Sequence, residues 1–194
     1  MSLVVAIKNK NSVIVAGDTS GIPPTPGQFG QMIVLPNRTA ILIAGNLAAV
    51  KTSIEQKVMP KITPDLSAAA LAQIVQAALV LDLVPHLPDI KGRVEIIVAG
   101  IDPVRHVEEP DLYYLDSAQD FYLKVVETPF VAAGSTAATL PLLTGHDYAQ
   151  STDDHLKNLV KECLSTTKLR WPESVGSHVS IATITSHNTQ IENY

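Results

Sequence analysis

Ser2-Leu-Val-Val-Ala-Ile-Lys8, followed by Asn9-Lys10-Asn11-Ser12 and then Val13-Ile-Val-Ala-Gly-Asp18, opens the chain with two β-branched apolar runs around a polar turn. This is the pattern of a β-hairpin, because Val and Ile favour extended backbone while Asn and Ser favour the turn. A pairing centred near Lys10 brings Asp18 back beside Ser2. Removal of Met1 would leave Ser2 with a free α-amine beside its hydroxyl, and such an amine can act as the base that activates the hydroxyl. One strand end thus holds a candidate nucleophile and a candidate carboxylate.

Outward from this hairpin, residues 19–30 carry Pro23, Pro24, Pro26 and several glycines, a composition that resists helix and sheet alike and reads as a loop. A second hairpin is predicted over 31–36 and 39–44, turning at Asn37-Arg38. Asn46 is placed to cap a helix running to about residue 58, with Pro60 and Pro64 punctuating the link to the next. That next helix, 67–84, has only Gln73, Gln76 and Asp82 as strongly polar interior residues, so it needs cover on more than one side, from the fold, a neighbouring subunit or both. Strands are predicted at 94–102, 111–116, 121–127, 130–134 and 178–185, and a helix at 152–168. Strands in hairpin order separated by pairs of helices imply an α+β protein with antiparallel sheets covered by helices, not a doubly wound parallel sheet. With no repeat, low-complexity tract or linker, residues 1–194 read as a single domain.

Composition excludes several classes. The 14 basic and 19 acidic residues give a formal charge of −5 with no Lys or Arg cluster, which argues against nucleic acid as a partner. No apolar run approaches the roughly 20 residues of a membrane helix, so no membrane association is expected. A single cysteine, Cys163, cannot form an internal disulfide, and Met-Ser-Leu-Val-Val lacks the charged leader and cleavage site of a signal peptide, so the expected location is cytoplasmic. Cys163 lies on an apolar helix face and reads as core. The six histidines, at 86, 106, 146, 155, 178 and 187, share no metal-ligand spacing, and neither a metal nor another cofactor is expected.

The opening hairpin resembles that of the proteasome β-subunit family of N-terminal nucleophile hydrolases. Further along, Thr39-Ala-Ile-Leu-Ile-Ala-Gly45-Asn46 is similar to the family's strand, glycine and helix start. Val94-Glu-Ile-Ile-Val-Ala-Gly-Ile-Asp102, Asp111-Leu-Tyr-Tyr-Leu-Asp116 and Phe130-Val-Ala-Ala-Gly134-Ser135 resemble its later strands in order. The resemblance implies a four-layer sandwich, two stacked antiparallel sheets between two helical layers. It also implies peptide-bond hydrolysis, assembly into a homo-oligomeric ring or stacked rings, and peptide or unfolded protein as substrate. A chain that starts directly at the first strand, without the leading helix of the family's α-type subunits, resembles the β type.

By this resemblance Ser2 is the nucleophile, Asp18 the supporting aspartate, Gly45 the oxyanion glycine and Ser135 the serine near the nucleophile, although Thr136 replaces the glycine that usually follows. Ser20, Gly21 and Ile22 would pair with substrate backbone, and Ile43 would form the floor of the specificity pocket. The family's lysine is missing: Gln31 stands at its position, and no lysine occurs between Lys10 and Lys51. Lys8 is no substitute, since six residues of extended strand put it about 20 Å from Ser2. The family's late aspartate and serine align near Pro172 and Val175, where Glu173 or Ser174 could replace them only through a one-residue shift. Each site residue also has an ordinary structural reading. Ser2 is a common small residue after Met, Asp18 can end a strand, Ser135 can cap a helix, and Gly45 suits a tight turn. Because a neutral glutamine cannot relay protons, the expectation is a ring-forming protein with weak or lost hydrolysis, and the alternative is an active Ser2-dependent peptidase or small-molecule amidohydrolase.

Overall fold

The computed structural model describes residues 2–19, 30–102, 110–172 and 178–194. The opening hairpin forms as β1 (Leu3–Lys8) and β2 (Ser12–Thr19). Lys8 stands opposite Val13 and Val4 opposite Gly17, so the turn is centred between Lys10 and Asn11 and Asp18 falls level with Leu3, one residue from the expected pairing with Ser2. Asn9 sets this register: its Oδ1 accepts from the N–H of Asn11, the N–H of Ser12 and the Ser12 hydroxyl, which fixes a two-residue turn.

The remaining strands are β3 (Met32–Leu35), β4 (Thr39–Gly45), β5 (Val94–Ile101), β6 (Pro110–Asp116), β7 (Lys124–Val125), β8 (Phe130–Gly134), β9 (His178–Thr185) and β10 (Thr189–Asn193). The helices are α1 (Leu47–Ser53), α2 (Ala68–Asp82), α3 (Leu140–Leu143) and α4 (Asp153–Arg170). Two five-stranded antiparallel sheets result, one ordered β10-β9-β2-β1-β8 and the other β3-β4-β5-β6-β7. Asn46 caps α1, Ser67 caps α2 and Thr152 caps α4, each accepting a backbone N–H. The α-helix ends at Ser53 and the chain continues as a π-helical stretch, Ile54–Val58, so the helical path reaches residue 58 as expected with a change of helix type.

Three apolar clusters place these elements. Val4, Ala6, Val13 and Val15 of the first sheet meet Leu42, Ala44, Ile97 and Ala99 of the second. Leu3, Val5, Ile7 and Ile14 meet Leu156, Val160 and Cys163 of α4, on the other face of the first sheet. Ile41, Ile43, Ile96 and Val98 meet Val50 of α1 and Leu71 and Val75 of α2, on the other face of the second. Each sheet is therefore packed against the other sheet on one face and against helices on the other. Strands β1 and β4 are buried on both faces, which is why they read as continuous apolar runs with no alternation.

One expectation needs correction, and two elements were not expected. The strand predicted over 121–127 shrinks to Lys124–Val125, because Asp120 and Phe121 take left-handed φ values of 51° and 56° and turn the chain away from extended geometry. Strand β10 and the short helix α3 had no clear signal in the sequence: Thr189-Gln-Ile-Glu-Asn is mostly polar, as suits an edge strand. Helix α2 buries Leu71, Ala72, Val75 and Leu79 against the second sheet, while Leu81 is 72% exposed. Ile54 and Val58 of the π-helical stretch belong to the same cluster, so the fold covers α2 from the sheet and from its neighbouring helical segment. Leu71→Ala should lower stability by about 2–5 kcal/mol, as read from urea denaturation at constant m-value.

Candidate active site

Ser2 lies where the two sheets meet. It precedes β1 with the same alternation as Val4 and Ala6, so its side chain faces the second sheet, and the residue is 4% exposed. The Ser2 Oγ accepts a hydrogen bond from the Gly45 N–H at 3.0 Å. Its carbonyl oxygen accepts from the Ser135 N–H at 3.1 Å. Gly45 and Ser135, expected from the sequence to share a cleft with Ser2, are thus brought into direct contact with it.

Both glycines here are demanded by sterics. Gly134, at φ +87°, would place a Cβ well inside van der Waals contact of the Ser2 carbonyl oxygen, and within 3.2 Å of the Ala44 Cβ. Gly45, at φ +93°, would drive a Cβ into the Arg93 carbonyl oxygen, which also accepts the Asn46 N–H at 3.2 Å. Ser135 does not cap a helix: the chain makes a turn after it, and α3 begins only at Leu140 with Thr139 at its N-cap.

Asp18 is buried, and Gln31 reaches it from the segment entering β3. With its amide nitrogen turned toward Asp18, Gln31 donates to Asp18 Oδ1 at 3.0 Å and to the Asp18 carbonyl oxygen. An amide therefore occupies the place beside the aspartate where the resemblance puts an ammonium. Ile43 is fully buried in the cluster beneath α1 and α2, so its side chain is covered. Ser20, Gly21 and Ile22 lie outside the described residues, as do Met1, Glu173, Ser174 and Val175.

A group of charges that the sequence reading passed over lies next to these residues. Glu95 Oε2 accepts the Gly134 N–H at 2.9 Å, and Glu95 Oε1 accepts from the Tyr114 hydroxyl and lies 3.4 Å from the Arg93 guanidinium. Arg93 in turn donates to both carboxylate oxygens of Asp116, with Nε at 2.9 Å from Oδ1. Burial, together with the hydrogen bond to Glu95, holds the Tyr114 hydroxyl well above its ordinary range, so it stays a donor. Burial acts to raise the Asp116 carboxyl, but the hydrogen bonds from Arg93 and the Ala118 N–H outweigh it and hold the group below the usual carboxylate range. The available signal was Glu95 itself, a charge at an inward position of an otherwise apolar strand.

Among the described residues, no group of three or more His, Cys, Asp or Glu is placed to hold a metal ion. The Cys163 thiol is pushed up to about 12 by burial, in keeping with a core role. No helix among the described residues is long and apolar enough to cross a membrane. No family model matches this chain, and no curated protein matches it.

Chemically, the site offers a hydroxyl held by a backbone N–H, a buried carboxylate paired with an amide, and a salt-bridged network behind them. While Met1 is attached, the Ser2 nitrogen is a peptide amide and cannot serve as a base. The Asp116 contribution has a definite pH sign. A carboxyl whose folded pKa is depressed stabilises the fold above its unfolded value, near 3.8, and loses that contribution as pH falls through the folded value. Asp116→Asn should therefore narrow the stability gap to wild type as pH drops below about 4, measured by urea denaturation between neutral and strongly acid pH.

Proposed function

We propose that the chain has the N-terminal nucleophile hydrolase fold of the proteasome β-subunit type, a four-layer sandwich, with site geometry retained and peptide-bond hydrolysis weak or lost. The observation that carries this reading is a Ser2 whose Oγ meets the Gly45 N–H, with Gln31 paired to Asp18 on the neighbouring strand β2. Three parts of the family's site, the hydroxyl, the aspartate and the glycine amide, are supported by position. The charged part is replaced by a neutral one. A cation next to the attacking oxygen lowers its pKa and stabilises developing negative charge, and preorganised contributions of this kind are worth several kcal/mol in a dry site. Glutamine supplies neither proton nor charge at neutral pH. The retained role is then assembly and interaction, in a cytoplasmic homo-oligomer.

The contact between Ser2 Oγ and the Gly45 N–H favours one second reading, an active Ser2-dependent peptidase or amidohydrolase that uses the α-amine as base. Turnover separates the two. Intact mass establishes whether Met1 is present, and Met1-free protein is then assayed on fluorogenic peptides. Hydrolysis should be at or near background, and Gln31→Lys should raise it by on the order of 10²-fold. Rapid wild-type hydrolysis abolished by Ser2→Ala would establish the second reading instead.

Assembly rests on separate support. Leu81, Tyr122, Val125 and Leu169 are large apolar side chains exposed on the isolated chain, and neighbouring copies would cover such positions. Sedimentation at micromolar concentration should give a species several times the 20.8 kDa chain mass. A monodisperse monomer would overturn the ring-forming role.

A further inference from the structure

We propose that Glu95 is a positioning residue for Ser2, acting through Gly134 by the reach of its side chain, and that the Tyr114 hydroxyl holds it there. This inference rests on the reading of Ser2 as the nucleophile position. Glu95 alternates with Ile97 and Ala99 on the face of β5 that packs against the first sheet, yet it carries a carboxylate with a side chain only 13% exposed. Burying a carboxylate is unfavourable unless its oxygens are engaged. Both oxygens are: Oε1 accepts the Tyr114 hydroxyl and faces Arg93, and Oε2 crosses to the other sheet to accept the Gly134 N–H.

Gly134 is the residue against which Ser2 is set. In the pairing of β1 with β8 it stands opposite Leu3, and its missing Cβ leaves the room that the Ser2 carbonyl occupies. The next residue, Ser135, donates its N–H to that same carbonyl. Glu95 therefore fixes the last residue of β8 from below, β8 fixes the Ser2 backbone, and the backbone places Oγ at the Gly45 N–H. Arg93 closes the path, since its carbonyl abuts Gly45 while its guanidinium is held by Asp116 near Glu95. The Glu95 side chain and the Arg93 backbone, two residues apart at the start of β5, thus meet the two hydrogen-bonded sides of Ser2.

Reach and charge make different demands, so two conservative variants separate them. Glu95→Gln keeps an oxygen at the reach needed for Gly134, and its amide nitrogen can donate to the Tyr114 oxygen. Glu95→Asp keeps the charge but withdraws it by about one C–C bond, roughly 1.5 Å. Residue-resolved amide hydrogen exchange is then compared in wild type, Glu95→Gln, Glu95→Asp and Glu95→Ala. The expected result is exchange at Gly134, Ser135 and Gly45 faster by on the order of tenfold in Glu95→Asp and Glu95→Ala, near wild type in Glu95→Gln, with β9 amides paired to β2 unchanged throughout. Wild-type exchange at Ser135 and Gly45 in Glu95→Asp would overturn the proposal, as would Glu95→Gln behaving like Glu95→Asp. Should Glu95→Ala fail to fold, the Asp and Gln variants still decide. None of these readouts requires turnover or assembly, so failure of the proposed function, seen as rapid peptide hydrolysis or a monomer, is distinguishable from failure here.

Discussion

Close approach of backbone to backbone at Ser2 is the constraint on which this molecule's candidate site depends. Its carbonyl must lie where the Gly134 Cβ would be, and the Arg93 carbonyl must lie where the Gly45 Cβ would be. Both glycines take positive φ, a region that side-chain-bearing residues rarely enter. These two positions let the edge strand β8 and the end of β4 converge on one residue from opposite sheets. The apolar layer between the sheets, formed by residues such as Val4, Ala44 and Ile97, then holds the corner closed.

Carboxylates stand on both sides of that corner. On one side Gln31 donates to Asp18. On the other, Arg93 is shared between Glu95 and Asp116. The guanidinium is committed to these carboxylates, with Asp116 2% exposed in its side chain. Its hydrogen bonds to Asp116 and its ion pair with Glu95 tie the two together behind the site. Under the proposed reading, loss of hydrolysis follows from one position, 31, and not from collapse of the cleft.

Much of the fold was legible because its strands are buried on both faces: runs such as Leu3-Val-Val-Ala-Ile and Thr39-Ala-Ile-Leu-Ile-Ala can satisfy few other environments. The caps at Asn46, Ser67 and Thr152 gave clear helix starts. Legibility failed where tertiary context decides. Residues 121–127 have strand composition, but left-handed backbone at Asp120 and Phe121 cuts the strand short. Strand β10 is an edge, half solvated, and so carries no long apolar run. The register of β1 on β2 turned on the Asn9 side chain, a local hydrogen-bonding choice that apolar patterning does not record. Glu95 and Arg93 escaped for a related reason: their role depends on what lies across the sheet interface, which has no local periodicity.

The same constraint limits what the site's geometry can say about chemistry. Gly45 and Gly134 are needed for the two sheets to close over Ser2 whether or not a bond is ever broken there, and Ser135 contributes a backbone N–H that any non-proline residue would supply. A corner built this way is retained by packing alone, since changing either glycine would cost stability before it cost activity. Convergence of Ser2, Gly45 and Ser135 is therefore evidence about architecture. The groups free to change without disturbing it are the donor at position 31 and the main-chain nitrogen of Ser2, bound to Met1 or released from it. Peptide hydrolysis, on this view, is decided by a proton and a charge at those two atoms, inside a frame that would look the same in either case.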